Sequence, residues 1–217
     1  MEIDLLRNYP KAKRDLSARL ETKSEEVRDI ARKFGQDFFD GDRDCGYGGF
    51  NYHARFWQDV IPDFINHWDL QSGDSILDIG CAKGFMIHDF LIALPTLRME
   101  GIDISEYAVN NGHPPVQNLL KVASCEKLPY EDNSFDYAIS VNSIHNLERE
   151  GVIKSLQEIK RVASKGSFIT VDAYRDDEEK ARMYAWNLTA KTILHVDEWK
   201  ALFIEADYTG DYFWFIP

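Results

Sequence analysis

The fold is decided by one short stretch, Ile76-Leu77-Asp78-Ile79-Gly80-Cys81-Ala82-Lys83-Gly84. An apolar run ends in glycines and passes directly into a helical pattern over residues 84–94. Glycine lets the backbone approach a ligand closely, and the start of the following helix offers unpaired N–H donors. Asp78 lies inside the turn, where it would repel a pyrophosphate. The stretch therefore predicts a strand, a ligand-binding turn and a helix, for a ligand that brings a cation or hydroxyl groups.

A second acid stands at the end of the next strand, in Glu100-Gly101-Ile102-Asp103-Ile104-Ser105. Its distance from the first turn is close to the roughly 20 residues typical of a ribose-binding carboxylate. One carboxylate can accept hydrogen bonds from both ribose hydroxyls. The alternative is that Asp103 only begins a helix, whose serine cap is Ser105.

Strands and helices alternate from residue 73 onward. Such alternation predicts parallel pairing, right-handed crossovers and helices on both faces of the sheet. Uninterrupted apolar strands such as Phe168-Ile169-Thr170-Val171 fit a sheet covered on both sides. The β-prone stretch 208–216 predicts the last strand, at the sheet edge or as a closing antiparallel strand. The predicted fold class is thus α/β, a Rossmann-like doubly wound sheet, mostly parallel with an antiparallel strand near the C-terminus.

The first part of the chain predicts a helical N-terminal extension. Residues 2–39 are helical in pattern, with capping-box spacing at Thr22-Lys23-Ser24-Glu25 and a stop at Gly35. Four glycines among aromatic residues over 40–53 indicate a closing flap, or else a flexible linker. Helical spacing returns over 56–68, with Pro62 expected to break or kink it. We expect two parts, an extension with its flap over 1–59 and a ligand-binding domain over 60–217.

Composition limits the function. The chain has 37 acidic and 25 basic residues, a net charge of −12, which argues against a nucleic-acid partner. The basic stretch Lys11-Ala12-Lys13-Arg14 fits a solvated helix face better than a binding patch. No apolar run approaches the roughly 20 residues of a membrane span, and the first residues lack a secretory pattern. The three cysteines form neither a metal pattern nor a disulfide framework, which favours a cytoplasmic location without a metal.

In three ordered motifs, the chain resembles the class I S-adenosylmethionine-dependent methyltransferases of type 11, from about residue 60 to the C-terminus. The motifs are Leu77-Asp78-Ile79-Gly80-Cys81-Ala82-Lys83-Gly84, Gly101-Ile102-Asp103-Ile104-Ser105 and Ala123-Ser124-Cys125-Glu126-Lys127-Leu128-Pro129-Tyr130-Glu131-Asp132-Asn133-Ser134-Phe135-Asp136. The resemblance implies S-adenosylmethionine as cofactor and S-adenosylhomocysteine as product. The family usually has glycine where Ala82 stands, and commonly an acid where Cys125 stands.

The resemblance assigns the cofactor contacts to these motifs. Asp78 and Gly80 would line the methionine end in the turn that also holds Cys81 and Gly84, and Asp103 would hold the ribose. Ile104 would pack on the adenine, with Cys125 and Glu126 beside its amino group. Two further contacts are open: Asn142 could bind the ammonium group, and Arg55 either binds the methionine carboxylate or makes a surface ion pair.

The acceptor side is expected where the fourth strand ends, at Val141-Asn142-Ser143-Ile144-His145-Asn146-Leu147. His145 could remove the acceptor's proton, since its ordinary pKa is near neutral; a surface or capping histidine is the alternative. Candidate acceptor contacts in the flap and beyond the fifth strand are Tyr52, His53, Tyr174 and Trp186, and core packing is the alternative for Trp186.

The predicted activity is methyl transfer from S-adenosylmethionine to the oxygen or nitrogen of a small polar acceptor. The flap pattern also resembles bacterial methyltransferases of surface-polysaccharide or small-metabolite pathways. We expect a small-molecule acceptor, no nucleic acid and no membrane, with monomer and homodimer both open. Two alternatives are a non-catalytic binder of the cofactor or a related nucleoside, and a nicotinamide-dependent oxidoreductase.

Overall fold

A computed structural model gives the structure of the chain, and it describes residues 1–10 and 24–217. Within them a seven-stranded sheet has the order β3-β2-β1-β4-β5-β6, with β7 also paired to β5. The strands are β1 Ser75–Ile79, β2 Arg98–Asp103, β3 Leu120–Val122, β4 Phe135–Val141, β5 Ala163–Tyr174, β6 Leu194–His195 and β7 Asp211–Phe215.

Helices cover both faces of this sheet. The α-helices are α1 Glu25–Ala31, α2 Gln36–Phe39, α3 Ile61–Trp68, α4 Phe85–Ala93, α5 Glu106–Asn110, α6 Arg149–Val162, α7 Asp177–Trp186 and α8 Val196–Glu205. Short 3-10 turns occupy Ala54–Phe56, Gln117–Leu119 and Ile144–Asn146. Ser105 caps α5 by accepting a hydrogen bond from the Ala108 N–H group, as its sequence pattern indicates.

Two apolar layers lie on opposite faces of the sheet. One contains α6 and α8 and centres on Trp199, while the other contains α3 and α4 and centres on Phe64 and Phe90. Every residue of β1 is buried, as expected for a strand with helices above and below. The Rossmann-like doubly wound fold predicted from the sequence is confirmed.

One detail of the predicted topology is wrong, the antiparallel strand near the C-terminus. β7 runs parallel to β5, with Phe168 opposite Asp211 and Asp172 opposite Phe215. The reason is the connection that leads into it. Helix α8 separates β6 from β7, and a helical crossover returns the chain to the same end of the sheet, whereas an antiparallel strand needs only a hairpin.

In the described part of residues 2–39, namely 2–10 and 24–39, the predicted helical pattern is only partly present. Residues 1–10 form turns and one bridge, and helices occupy 25–31 and 36–39. Ser24 caps α1, accepting from the Val27 N–H group at 3.3 Å. The predicted capping residue Thr22 and the basic stretch 11–14 lie outside the described residues. Pro62 neither breaks nor kinks a helix, because it lies in the first turn of α3, where no intrahelical N–H is required.

The first ten residues pack against the rest of the molecule. The Ile3 N–H group donates to the Tyr212 carbonyl at 3.0 Å, which places this segment along the outer edge of β7. Leu5 is buried in the same apolar layer as Phe64. Within the described part of the chain, no helix has the length and apolar character needed to cross a membrane.

Candidate functional site

The turn after β1 is held against the end of β2. The N–H groups of Gly80 and Cys81 both donate to the Ile102 carbonyl, at 2.8 and 3.0 Å. Gly80 has a φ of 82°, and a Cβ atom there would overlap the Ser143 side chain in the loop after β4. Glycine is therefore required both by the backbone conformation and by the close approach of the two loops. We call residues 80–84 the donor loop and residues 142–147 the acceptor loop.

Asp78 carries its carboxyl group into the interior at the base of the donor loop. It is 3% exposed, and burial together with the neighbouring Asp103 carboxylate raises its pKa to about 8. A cation close to a carboxyl group in such a place stabilises its anionic form. The ammonium group of an amino-acid ligand would supply that cation.

Each carboxylate oxygen of Asp103 accepts one hydrogen bond from a backbone N–H group. Its oxygens accept from the N–H groups of Ala82 and Ser105, both at 2.8 Å. Burial raises its pKa, and these bonds oppose the rise. Because a carboxylate oxygen has two lone pairs, each oxygen can still accept from one ribose hydroxyl. Asp78 and Asp103 therefore fit a ligand with an ammonium group and a ribose.

Ala82 occupies the position where the resemblance leads one to expect glycine. Its φ of 49° is in the left-handed region, which costs an alanine about 1–2 kcal/mol. The hydrogen bond from its N–H group to Asp103 holds that conformation. The departure from the family pattern is thus accommodated within the loop, and the backbone still reaches the second motif.

The predicted adenine contacts all belong to the residues that line the cavity. Ile104 is 59% exposed although it is a large apolar residue. The stretch 123–126 also contributes to the lining. Cys125 accepts from the Ser155 hydroxyl, with 3.3 Å between oxygen and sulfur, while Glu126 makes no side-chain ion pair within the described residues. An apolar surface beside an open carboxylate suits a flat base that bears an amino group.

The glycine-rich flap is fastened to the donor loop by an ion pair between the buried Lys83 and the half-buried Asp40. Lys83 donates to the Asp40 carboxylate at 2.6 Å and to the Phe50 carbonyl at 3.0 Å. Asp40 also accepts from the Tyr107 hydroxyl and the Phe50 N–H group. Burial disfavours the charged form of the Asp40 carboxyl group, but these hydrogen bonds outweigh it and keep the pKa of Asp40 below the ordinary value.

The far end of the flap is fixed by Tyr52. Its hydroxyl donates to Asp89 at 2.6 Å, and its ring stacks on His113 with ring centres 4.8 Å apart. Burial and the Asp89 carboxylate raise its pKa to about 12. His53 accepts from the Arg55 N–H group, and the Arg55 guanidinium lies over the Phe56 ring. Among the described residues Arg55 makes no ion pair.

The acceptor loop begins with an asparagine in an unusual conformation. Asn142 has a φ of 50°, and its side-chain oxygen accepts from the Thr170 hydroxyl at 2.8 Å. The Thr170 carbonyl and hydroxyl oxygens both lie within hydrogen-bond distance of the Asn142 N–H group, at 3.2 and 2.9 Å. These bonds fix the end of β4 against β5 and leave Asn142 on the cavity wall.

His145 is buried behind the cavity wall. Its side chain is 5% exposed, and its Nδ1 atom accepts from the Asp172 N–H group at 3.1 Å. Burial lowers its pKa, and Asp172 opposes the change. In the neutral ring that burial favours, this bond leaves the proton on Nε2. His145 is absent from the residues that line the cavity.

Asn146 lines the cavity, although no feature of the sequence singled it out. Its side-chain oxygen is buried with no hydrogen-bond partner in the described structure. The sequence pointed to its neighbour His145 instead, because a titratable side chain suggests proton transfer and an amide does not. Burial of one amide oxygen leaves no sequence signal.

The predicted residues beyond β5 separate into two groups. Trp186 lines the cavity and lies 5.6 Å from Phe215, measured between ring centres. Tyr174 stays outside the lining and contacts His195. Trp186 ends helix α7, which the sequence pattern did not indicate. Tyr174 is the last residue of β5, so its predicted place beyond the fifth strand is wrong by one element.

One cavity of about 1590 Å³ brings most of these groups together. Single ligands usually occupy about 300–1,000 Å³, so it has room for a cofactor and an acceptor side by side. Gly84, His145 and Tyr174 are not part of its lining; the other predicted residues are, namely Asp78, Gly80, Cys81, Asp103, Ile104, Cys125, Glu126, Asn142, Arg55, Tyr52, His53 and Trp186. No group of side chains suited to a metal ion occurs within residues 1–10 and 24–217.

Residues 77–171 match the family described as methyltransferase domain. A tRNA (carboxymethyluridine(34)-5-O)-methyltransferase of Arabidopsis thaliana is 32% identical over 133 residues, which cover 60% of this chain and 31% of the relative. The 27-O-demethylrifamycin SV methyltransferase of Amycolatopsis mediterranei is 26% identical over 183 residues, which cover 73% of this chain and 66% of the relative. This chain thus spans less than two thirds of either relative.

Among solved structures, the YcgJ protein of Bacillus subtilis has a similar fold. It superposes with a TM-score of 0.56 at 20% identity, over 67% of this chain and 66% of YcgJ. At that identity the likeness concerns the fold alone.

Proposed function

We propose that this chain transfers a methyl group from S-adenosylmethionine to a small polar acceptor. Its residues 77–171 form a class I methyltransferase domain. The observation that carries the proposal is the meeting of Asp78 and Asp103 in one cavity with the acceptor loop. Two carboxylates at neighbouring strand ends suit a ligand with an ammonium group and a ribose, and the remaining space suits an acceptor.

The chain's own residues would hold the donor along the ends of β1 and β2. Asp78 would bind the ammonium group, Asp103 the ribose hydroxyls, and Ile104 the face of the adenine. Arg55 would bind the methionine carboxylate, for which it has no competing ion pair within the described residues. When bound, S-adenosylmethionine supplies a methyl group on a positively charged sulfur, which is a good leaving group.

The protein's part in the reaction is alignment and exclusion of water. Alignment of two reactants can contribute roughly 7–11 kcal/mol toward the barrier. The flap, held by Lys83 and Asp40, would cover the donor, and Trp186 with the acceptor loop would bound the acceptor. Methylation of an oxygen or nitrogen is favoured because polar groups of the acceptor loop line the cavity.

Calorimetry with S-adenosylhomocysteine and with NAD tests the donor half of the proposal. We expect micromolar or tighter binding of S-adenosylhomocysteine and at least 100-fold weaker binding of NAD, about 2.7 kcal/mol, because NAD brings no ammonium group to pair with Asp78. Preferred binding of NAD would instead support an oxidoreductase. Labelled S-adenosylmethionine with a metabolite extract tests turnover, and binding without any transfer would support the non-catalytic binder.

The base role predicted for His145 remains a proposal that needs its own test. The variant His145→Ala should lose activity at saturating acceptor if the ring takes the proton. Thermal unfolding of the same variant measures how much of any loss is structural. A folded, fully active variant would exclude the role.

The Arabidopsis relative, by its name, acts on tRNA, so a nucleic-acid acceptor is the second candidate. The net charge of −12 opposes it, because phosphate binding needs a basic face. A filter-binding assay with bulk tRNA at low salt separates the two acceptor classes. Submicromolar binding that weakens with salt would favour tRNA over a small molecule.

A further inference from the structure

We propose that protonation of His113 releases the far end of the flap, so that the donor half of the cavity opens more readily in acid. The inference goes beyond the proposed methyl transfer, because it concerns when the cavity opens and not what reacts in it. It begins from four side chains, which we call the latch: Tyr52, His88, Asp89 and His113. Of these only Tyr52 lines the cavity, and no role in binding or transfer has been assigned to the other three.

The latch joins three separate segments of the chain. Tyr52 belongs to the flap, His88 and Asp89 belong to α4, and His113 lies in the loop after α5. The Tyr52 ring stacks on His113 with 4.8 Å between ring centres, and it lies nearly perpendicular to His88 at 4.9 Å. The two imidazole rings are 4.4 Å apart, measured in the same way. Contact between the flap and α4 thus depends on the packing of two titratable rings.

The latch adjoins the donor half of the cavity. Phe85, which lines the cavity, lies 5.8 Å from the Tyr52 ring and 5.7 Å from the His113 ring, measured between ring centres. The His113 N–H group also donates to the Lys83 carbonyl in the donor loop, at 2.8 Å. Detachment of Tyr52 would therefore uncover the side of the cavity where the donor loop lies.

The latch contains one acid for two bases. Asp89 is 2% exposed, and its Oδ1 atom accepts from the Tyr52 hydroxyl at 2.6 Å, while its Oδ2 atom has no partner in the described structure. Among the described residues, the titratable groups that act on His113 are His88 and Asp89. A single carboxylate offsets one imidazolium, so a second positive charge in this buried cluster is repelled.

Closure of the flap disfavours the charged form of His113. Burial and the neighbouring His88 lower its pKa below the ordinary value of 6.5, and Asp89 opposes the change. The stacked Tyr52 ring supplies part of that burial, and it departs when the flap opens. The open state therefore binds a proton more tightly than the closed state. Stabilisation of the closed flap by the neutral ring is complete above the ordinary pKa and is lost as pH falls through the lowered one.

Asp89 responds to acid in the opposite sense. Burial raises its pKa, so its own protonation favours the closed latch. The variant Asp89→Asn removes this response and keeps an amide oxygen that can accept from the Tyr52 hydroxyl. It also removes the charge that stabilises a protonated His113, so the release of the flap in acid should be undiminished or larger in this variant.

NMR titration of the imidazole rings in the ligand-free protein tests the coupling directly. We expect His113 to titrate below 6.5 in wild type and to move toward 6.5 in Tyr52→Ala, because the covering ring is gone. Tyr52→Phe keeps the stacked ring and should keep the pKa of His113 below 6.5. The control His67→Gln removes an imidazole of α3 that bonds to Asp211, and it should leave the pKa of His113 unchanged.

The rate of S-adenosylhomocysteine release, measured by stopped flow, tests the opening. Release from wild type should be about fivefold faster at about pH 5.5 than at about pH 7.5, below the roughly tenfold limit for one histidine one pH unit under its ordinary pKa. In His113→Gln, which keeps a neutral polar side chain, this acceleration should disappear. Asp78 also titrates, but it is present in both proteins, so the ratio of their release rates removes its contribution.

Two results would overturn the latch. One is a His113 pKa at or above 6.5 in ligand-free wild type, a measurement that requires no variant to fold. The other is an equal acceleration by acid in wild type and in His113→Gln. Failure of wild type to bind S-adenosylhomocysteine would instead overturn the proposed function, and the titration of the ligand-free protein would still decide whether Tyr52 and His113 are coupled.

Discussion

At the residue scale, the chemistry of the site depends on groups whose environment changes their ordinary behaviour. Asp78 shows how much of this the sequence can reveal. Its place inside a glycine turn after an apolar strand was sufficient to predict a ligand with a cation or hydroxyls. The size of its pKa shift was not predictable, because it comes from complete burial beside Asp103, and that carboxylate belongs to another strand.

The pKa of about 8 at Asp78 predicts a pH-dependent affinity. The unfolded chain would titrate this group near 3.8, so its protonated form stabilises the fold at low pH, and that contribution is lost as pH rises from about 4 through 8. A ligand ammonium group favours the carboxylate. Binding of S-adenosylhomocysteine below pH 8 must therefore expel a proton, and affinity should fall by up to tenfold per pH unit between 8 and 6.

Calorimetry in two buffers of different ionisation enthalpy measures that proton directly. We expect release approaching one proton at pH 6.5, and no release in Asp78→Asn, whose affinity should be lower and independent of pH. The exposed residue Asp59 supplies the control variant Asp59→Asn, which should behave as wild type. A flat affinity profile in wild type would contradict the assignment of the ammonium group to Asp78.

At the element scale, the site is formed by loops that contact one another across the sheet. The sequence located the donor loop, the second motif and the end of β4, because each follows a strand with a clear apolar pattern. It missed α7 and the direction of β7. Half of the residues in helix α7 are charged, so it lacks the apolar stripe that marks a packed helix. The direction of a strand depends on the connection before it, which the apolar pattern of β7 does not reveal.

The contact between donor loop and acceptor loop predicts a pair of coupled substitutions. Gly80→Ala should destabilise the protein by about 2–4 kcal/mol, because the new Cβ overlaps the Ser143 side chain and the φ of 82° disfavours alanine. Adding Ser143→Gly removes the overlap but keeps the backbone strain. The double variant should then recover all but the roughly 1–2 kcal/mol of that strain.

Urea unfolding of the two single variants and the double variant gives the coupling energy between the loops. We expect this coupling energy to exceed about 1 kcal/mol, with the double variant more stable than the sum of the two single effects predicts. Gly73→Ala has a similar positive φ but open space around it, so it should cost only the backbone strain. Simple additivity of Gly80→Ala and Ser143→Gly would show that the two loops are not in contact.

The ion pair that fastens the flap predicts a local opening. Asp40→Ala leaves Lys83, whose side chain is 8% exposed, without its counter-ion. Breaking a fully buried pair costs about 3–5 kcal/mol, and because Asp40 is 25% exposed we expect about 2 kcal/mol. The flap should detach from the donor loop, and S-adenosylhomocysteine should bind about tenfold more weakly.

Hydrogen exchange measures this opening without an assay of activity. The N–H groups of Tyr47 and Gly49 donate to the backbone carbonyls of Phe38 and Phe39 and should lose protection in Asp40→Ala. Asp44→Ala changes an exposed acid of the same flap and should leave their exchange unaltered. Unchanged protection in Asp40→Ala would mean that aromatic packing alone, such as Phe50 on Phe85, holds the flap.

At the scale of the whole molecule, the sequence could divide the chain by pattern but could not show how its parts pack. The charged helical pattern and glycine-rich flap before residue 60, and the alternating strands and helices from residue 73, suggested an extension and a domain. Whether two such parts share one core depends on long-range contacts, which leave no periodic signal. The buried position of Leu5 beneath α3 and the bridge between Glu2 and Tyr212 are contacts of this kind.

These contacts predict that the first residues unfold together with the sheet. Leu5 is 3% exposed, and Leu5→Ala should lower the free energy of unfolding by about 2–4 kcal/mol, as in other buried leucines. Urea unfolding followed by tryptophan fluorescence and by far-UV circular dichroism should give one coincident transition in both proteins. The control Ile92→Ala, at a position 53% exposed, should change stability by less than about 0.5 kcal/mol. If the extension were a separate unit, Leu5→Ala would leave the main unfolding transition unchanged and would shift only a second, smaller transition.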